Sequence, residues 1–226
     1  MTHHKHRPIR SYVRREGKIT PGQQRALKEL GPKYLLPDTG ALDFPLIFGN
    51  AQPVVLEIGF GNGLSLAEMA QNDPQRNYLG IEVYRPGVGS LLIQIRERGL
   101  SNLRALQADA VDVLKNQIAN HSLNAAQIFF PDPWHKARHN KRRLIQPEFI
   151  ALLRQKLEPG GVLHIATDWE DYAEHIMAVM SAAEGFVNLA GAGRFSPRPA
   201  HRPLTKFEQR GQRLGHGVWD ALFRTT

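Results

Sequence analysis

The chain has 226 residues, is 42% hydrophobic and contains no cysteine. It can bury the core of a domain, but it can build neither a disulfide framework nor a thiolate metal site. No apolar run approaches a membrane span and residues 1–20 lack an apolar signal core, so the expectation is a cytoplasmic protein with no membrane partner.

The net charge of +8 is unevenly spread. Residues 1–20 hold six Lys/Arg and one acid, residues 135–143 hold five and none, and residues 194–213 hold six and one. The remainder carries 12 bases and 19 acids. Three basic segments on an acidic body favour a polyanionic partner, most simply nucleic acid. None of the three is patterned as an amphipathic helix, which disfavours a membrane surface.

In chain order, residues 1–20 read as a flexible basic arm. "TPGQQRALKEL" opens a helix with Thr20 as N-cap and Pro21 at the first helical position. Residues 31–53, rich in Pro and Gly, read as loop, and the domain proper is expected over 31–226, with 1–30 as arm and short helix. Strand and helix then alternate. "PVVLEIG" is a strand and "LSLAEMAQ" a helix; "NYLGIEV" is a strand and "RPGVGSLLIQIRERG" a helix with Leu91, Leu92 and Ile95 inward. "NLRALQAD" and "AVDVLKNQI" repeat the pattern, followed by the strand "AAQIFF" and the helix "QPEFIALLRQKL", capped by Gln146 and broken at "EPGG". "VLHIAT" precedes a helix with Asp168 as its expected N-cap, and "FVNL" and "GVWDALF" supply two last strands. This alternation predicts an α/β protein with a seven-stranded, mostly parallel, doubly wound sheet of the Rossmann type. Ligands in such sheets bind beyond the carboxyl ends of the strands.

The candidate residues sit at those ends. "LEIGFGNG" places Gly59, Gly61 and Gly63 after the first strand, with Glu57 two residues earlier. The spacing is G-x-G-x-G, not the dinucleotide G-x-G-x-x-G. Glu57 disfavours a pyrophosphate and favours a cationic ligand. Glu82 ends the second strand, 19 residues after Gly63, where an acid can accept hydrogen bonds from ribose hydroxyls; the bland alternative is an exposed strand-end acid. Asp109 ends the third strand and competes for the role of helix N-cap. Asp132 ends the fourth, in "FFPDPWHKARHNKRR", where prolines on both sides restrict its backbone. Trp134 reads as packing, with stacking on a base as the alternative. Lys206 and Glu208 could form a surface ion pair. The ten His residues include no pair with ligand spacing and a carboxylate partner, so no metal is expected.

The four strand-end acids resemble those of the Rossmann-like S-adenosylmethionine-dependent methyltransferases. "PDPWHKARHNKRR", together with "VLEIGFGNG", "YLGIEVYRPGV", "HIATDWEDY" and "RPLTKFEQRG", is similar to the bacterial tRNA (guanine-N7-)-methyltransferase family over roughly residues 30–223. That resemblance implies methyl transfer from S-adenosylmethionine to N7 of a guanine in the tRNA variable loop. It implies that Glu57, Gly59, Gly61, Gly63, Glu82, Asp109 and Asp132 contact S-adenosylmethionine, with Asp132 also catalytic. It implies substrate contacts from Lys136, Asp168, Thr205, Lys206, Phe207 and Glu208, and RNA contacts from Arg138, His139, Asn140, Lys141, Arg142 and Arg143. It leaves monomer and homodimer open. The alternatives are a methyltransferase acting on another RNA nitrogen, an NAD-dependent oxidoreductase, and a non-catalytic RNA-binding protein.

Overall fold

The computed structural model describes residues 11–12, 17–204, 208 and 217–226. Helix α1 (Pro21–Tyr34) begins with a reciprocal capping box, the Thr20 hydroxyl accepting from Gln23 N–H and the Gln23 side chain accepting from Thr20 N–H. The helix passes through Gly31 and Pro32, so the loop expected from residue 31 starts four residues late. A proline in a last turn removes one backbone hydrogen bond. Packing compensates: Ala26 is buried, and Gln23 Nε2 donates to Ser90 Oγ on the α4 helix described below at 2.9 Å. The domain boundary expected at residue 30 therefore falls inside α1, which belongs to the core. Within the same expected loop, Asp43 caps α2 (Phe44–Phe48) and Gly49, at φ 73°, ends it.

From there the expected alternation is present. Strands β1 (Val54–Ile58), β2 (Asn77–Ile81), β3 (Leu103–Leu106) and β4 (Leu123–Phe129) alternate with helices α3 (Leu64–Asn72), α4 (Arg85–Arg98) and α5 (Ala110–Asn116). Helix α6 (Pro147–Lys156) leads into β5 (Leu157–Thr167), then come α7 (Glu170–Ala182), β6 (Phe186–Asn188) and β7 (Trp219–Thr225). "EPGG" does not break the chain into a loop; it lies inside β5. Leu157 pairs with Leu123, the register against β4 shifts between Leu123 and Ala125, and Gly160 at φ 80° accommodates the irregularity. Asp168 is not the N-cap of α7. Trp169 holds that position without a side-chain cap, and its N–H reaches back to the Thr167 hydroxyl at 3.3 Å, keeping the chain extended one residue further.

The sheet order is β3-β2-β1-β4-β5-β7-β6. β1 to β5 pair in parallel, and β7 runs antiparallel to both β5 and β6. Every residue of β1 and β2 is buried, as helices on both faces require. One face packs Val55 and Tyr78 against Ala26 of α1, Leu66 of α3 and Leu91, Leu92 and Ile95 of α4. The other packs Leu56, Leu79, Ile128 and Ile165 against Val113, Phe149, Ile150, Tyr172 and Ile176 of α5 to α7. Each such aliphatic side chain contributes about 1.5–3 kcal/mol on burial. The strand order reverses between β1 and β4, which opens a crevice at their carboxyl ends.

Candidate functional site

A cavity of about 500 Å³ occupies that crevice. Gly59 at the end of β1, Glu82 after β2, Asp109 after β3 and Asp132 after β4 all line it. Four elements separated in sequence thus bring three carboxylates and one glycine to a common space.

At the β1–β3 end, main-chain amides hold the acids. Glu82 is 9% exposed, so the exposed-acid alternative fails. Its carboxylate accepts from Gly61 N–H at 2.9 Å, Val83 N–H at 2.6 Å and Tyr84 N–H at 2.9 Å. Asp109 caps α5, its Oδ1 accepting from Val111 N–H at 3.0 Å, and still faces the cavity; the two readings of this residue coexist. Gly59 and Gly61 have φ of 76° and 59°, and a Cβ on either would meet nothing within 4 Å. Both need glycine for conformation, and Gly59 leaves open space beside the cavity. Gly63 differs. A Cβ there would lie 2.6 Å from Leu91, so this glycine lets α3 close onto α4 and does not line the cavity.

Glu57 departs from its expected role as a fixed negative charge. It is 3% exposed, does not line the cavity, and its Oε2 has no hydrogen-bond partner among the described residues. Burial, reinforced by the Glu82 charge, pushes its pKa up to about 8. That shift favours the protonated form of Glu57 near neutral pH, and the acids that face the cavity from the β1–β3 end are Glu82 and Asp109. A neighbouring cation would draw that proton off.

At the β4 end the backbone itself is unusual. Phe130 and Trp134 have φ of 51° and 49° and bracket Pro131, Asp132 and Pro133. Left-handed aromatic residues cost of order 1–3 kcal/mol each and persist only where the surroundings impose them. Phe130 N–H donates to Ala166 O at 2.8 Å. Trp134 is partly buried; its Nε1–H donates to Ser11 O at 3.2 Å and the Arg142 guanidinium lies 4.9 Å over its ring. The packing reading of Trp134 accounts for these contacts. Trp169, 40% exposed, packs edge-on against His135 at 4.2 Å. This contact joins the rims that carry Lys136 and Asp168. The described part of the N-terminal arm is not free of the body: Ser11, Tyr12 and Gly17 line the cavity.

The basic run divides. Arg138 and Lys141 are exposed on a 3-10 turn (Ala137–Arg142), with His139, Asn140 and Arg142 partly exposed. Arg143 is 3% exposed and bound on several sides within the protein. Thr205, Lys206 and Phe207 lie outside the described residues. Glu208 is 2% exposed and forms a two-point ion pair with Arg202 at 2.6 and 2.8 Å.

Sequence reading missed Arg202. It is 1% exposed and also grips Asp220 at 2.7 and 2.9 Å, while Asp220 holds His164 at 2.7 Å. Burial opposes the Asp220 charge, but hydrogen bonds from His164 and Arg202 outweigh it and leave the carboxyl below its ordinary value. Burial lowers His164 against the pull of Asp220. The Arg202 guanidinium lies 5.9 and 5.6 Å from the Phe129 and Phe130 rings, which line the cavity. Spacing alone does not separate Arg202 from its basic neighbours: Glu208 lies six residues on, but Asp220 arrives from β7, 18 residues away.

Residues 51–221 match the family described as "Putative methyltransferase". The chain is 57% identical to the tRNA (guanine-N(7)-)-methyltransferase of Alcanivorax borkumensis over 96% of its own length and 91% of that protein. It is 58% identical to that of Aeromonas hydrophila, covering 96% and 92%, and 57% identical to that of Vibrio cholerae, covering 97% and 93%. Among solved structures it is similar to the 16S rRNA methyltransferase KamB (TM-score 0.58, 16% identity, 83% of this chain and 95% of that one). It is also similar to the [4+2]-cyclase SpnF (TM-score 0.53, 16% identity, 90% and 80%). These two likenesses concern the fold alone, which evidently hosts more than one chemistry.

Proposed function

The chain belongs to the tRNA (guanine-N(7)-)-methyltransferase family, and from that premise we propose that it methylates N7 of a guanine in the variable loop of tRNA, with Asp132 as the catalytic carboxylate. The methyl donor is S-adenosylmethionine, which supplies an electrophilic methyl group on a sulfonium. The observation that carries the reading is the convergence of Glu82, Asp109 and Asp132 on one cavity beside the open backbone of Gly59.

The donor set fits this cosubstrate. Glu82 suits ribose hydroxyls, because the amides of Gly61, Val83 and Tyr84 fix its orientation without exhausting its lone pairs. Asp109, tied down as a cap, is available at the adenine side. Glu57, buried with an unpartnered oxygen, is suited to a nearby cation. Acids lining the cavity disfavour the pyrophosphate of a dinucleotide.

Guanine N7 carries a lone pair and no proton, so no residue has to act as a base toward the nucleophile. What the protein supplies is position and charge. As N7 takes the methyl group, the purine becomes cationic. A carboxylate at Asp132, facing the N1–H and the exocyclic amine, accepts hydrogen bonds that strengthen as that charge develops, which lowers the barrier more than it tightens ground-state binding. Lys136 and Asp168 border the guanine, and Arg138, Lys141 and Arg142 contact tRNA phosphates from the exposed 3-10 turn, with His139 and Asn140 beside them.

The test is to incubate the protein with labelled S-adenosylmethionine and bulk tRNA, then digest the tRNA and identify the modified nucleoside. 7-Methylguanosine is expected. Label in any other nucleoside, or none, sinks the reading.

A further inference from the structure

Arg143 closes the basic run, and its charge alone groups it with the phosphate contacts. Its surroundings do not. The side chain is 2% exposed. Nε–H donates to the Pro133 carbonyl at 2.9 Å, Nη2 pairs with the Asp171 carboxylate, and the guanidinium lies 4.9 Å over the Tyr172 ring. Tyr172 is fully buried, and its hydroxyl accepts from Ile145 N–H at 3.2 Å. A phosphate could reach this guanidinium only by breaking a set of contacts made within the fold.

We propose that Arg143 is a positioning residue for Asp132 and not a contact to RNA. The carbonyl it holds belongs to the residue directly after Asp132. On the entry side, Phe130 N–H is fixed to Ala166 O of β5. On the exit side, Arg143 ties Pro133 to the first turn of α7 through Asp171. Two prolines restrict φ next to Asp132, and the left-handed φ of Trp134 turns the chain away. The peptide between Pro133 and Trp134 retains freedom that the prolines do not restrict, and the Arg143 hydrogen bond restrains it. Arginine suits the task because one planar guanidinium can bond a carbonyl, pair with a carboxylate and stack on an aromatic ring; a lysine ammonium cannot do all three.

This inference rests on the reading of Asp132 as the carboxylate facing the base, and the experiment separates the two. Single-turnover rates with donor and tRNA both saturating, and the salt dependence of tRNA binding, are measured for wild type, Arg143→Lys, Asp132→Asn and the double variant. Arg143→Lys is expected to lose about tenfold or more in single-turnover rate, since small misplacements near the reacting atoms carry large penalties. Its salt slope should equal that of wild type, whereas Arg138→Ala should lower the slope by roughly 0.7 to 0.9. In the Asp132→Asn background, Arg143→Lys should cost little more, because it acts through Asp132. Asp171→Asn, at a side chain 65% exposed, provides a milder variant should Arg143→Lys fold poorly; it should lower the rate and keep the slope. A lowered slope with an unchanged rate in Arg143→Lys would make it an RNA contact. A lowered melting temperature with an unchanged rate in both Arg143→Lys and Asp171→Asn would leave it purely structural. Either result overturns the proposal while a slowed Asp132→Asn leaves the catalytic reading standing. A wild-type rate for Asp132→Asn overturns both.

Discussion

At the β1–β3 end of the cavity, side chains are held by backbone. Glu82 takes amides from Gly61, Val83 and Tyr84, and Asp109 takes the amide of Val111. At the β4–β5 end, backbone is held by side chains: Arg143 fixes the Pro133 carbonyl, and Arg202 lies behind the Phe129 and Phe130 rings while gripping Glu208 and Asp220. In the first arrangement the partners are main-chain amides that come with the strand ends themselves. The second depends on long charged side chains buried in the fold, and it flanks a segment in which Phe130 and Trp134 have left-handed φ. On the function proposed above, the first end meets the methyl donor and the second meets the base.

That contrast can be broken from either end. The largest effect should come from Arg202→Ala, which leaves the carboxylates of Glu208 and Asp220 buried without their shared cation. Urea unfolding should register a loss of about 3–5 kcal/mol. An unchanged midpoint would mean that the network is a consequence of the fold and not one of its supports.

Next comes Asp132→Asn, which removes a charge at the exposed tip of the turn and should leave the fold intact. Single-turnover rate should drop about a hundredfold or more with both ligands saturating, while affinity for tRNA should stay near wild type, as the proposed contacts from the exposed basic turn require. If the loss disappears at donor saturation, Asp132 serves the donor end and the division drawn above is in the wrong place.

Glu82→Ala tests the donor end. Hydrogen bonds to a charged group contribute about 1.5–3 kcal/mol, so affinity for S-adenosylmethionine should fall tenfold or more by calorimetry. The single-turnover rate at saturation should change less. A variant that binds donor normally would remove Glu82 from the site.

The last test concerns Glu57 and reads stability against pH. Its native pKa of about 8 exceeds the ordinary carboxyl value of 4.5, so between those limits the native state keeps a proton that the unfolded chain has released. Stability of the donor-free protein is therefore fully present below that window and falls as pH rises through it. Glu57→Gln lacks this dependence. The difference in melting temperature between wild type and variant should shift against wild type from pH 5 to pH 8, at roughly 2–4 °C per kcal/mol for a chain of this size. Parallel curves would mean that Glu57 is ionised throughout and finds a counter-charge in the fold.

Much of this was legible without coordinates. Short apolar runs alternating with helical periods dictated a doubly wound sheet, because parallel strands must be covered on both faces. Thr20 and Pro21 announced a helix start through a bond to a residue three positions away. That the acids after β2, β3 and β4 share one crevice was readable because strand ends in such sheets converge by topology alone. Only the tertiary structure decided which charges of the basic segments face solvent. Arg143 meets Asp171 across 28 residues, and Arg202 meets Asp220 across 18. Local sequence looks the same for an arginine that holds RNA and one that holds the protein. The difference is set by which distant carboxylate and which ring the packed elements bring within reach of the guanidinium, and that exists only once the sheet and its helices have assembled.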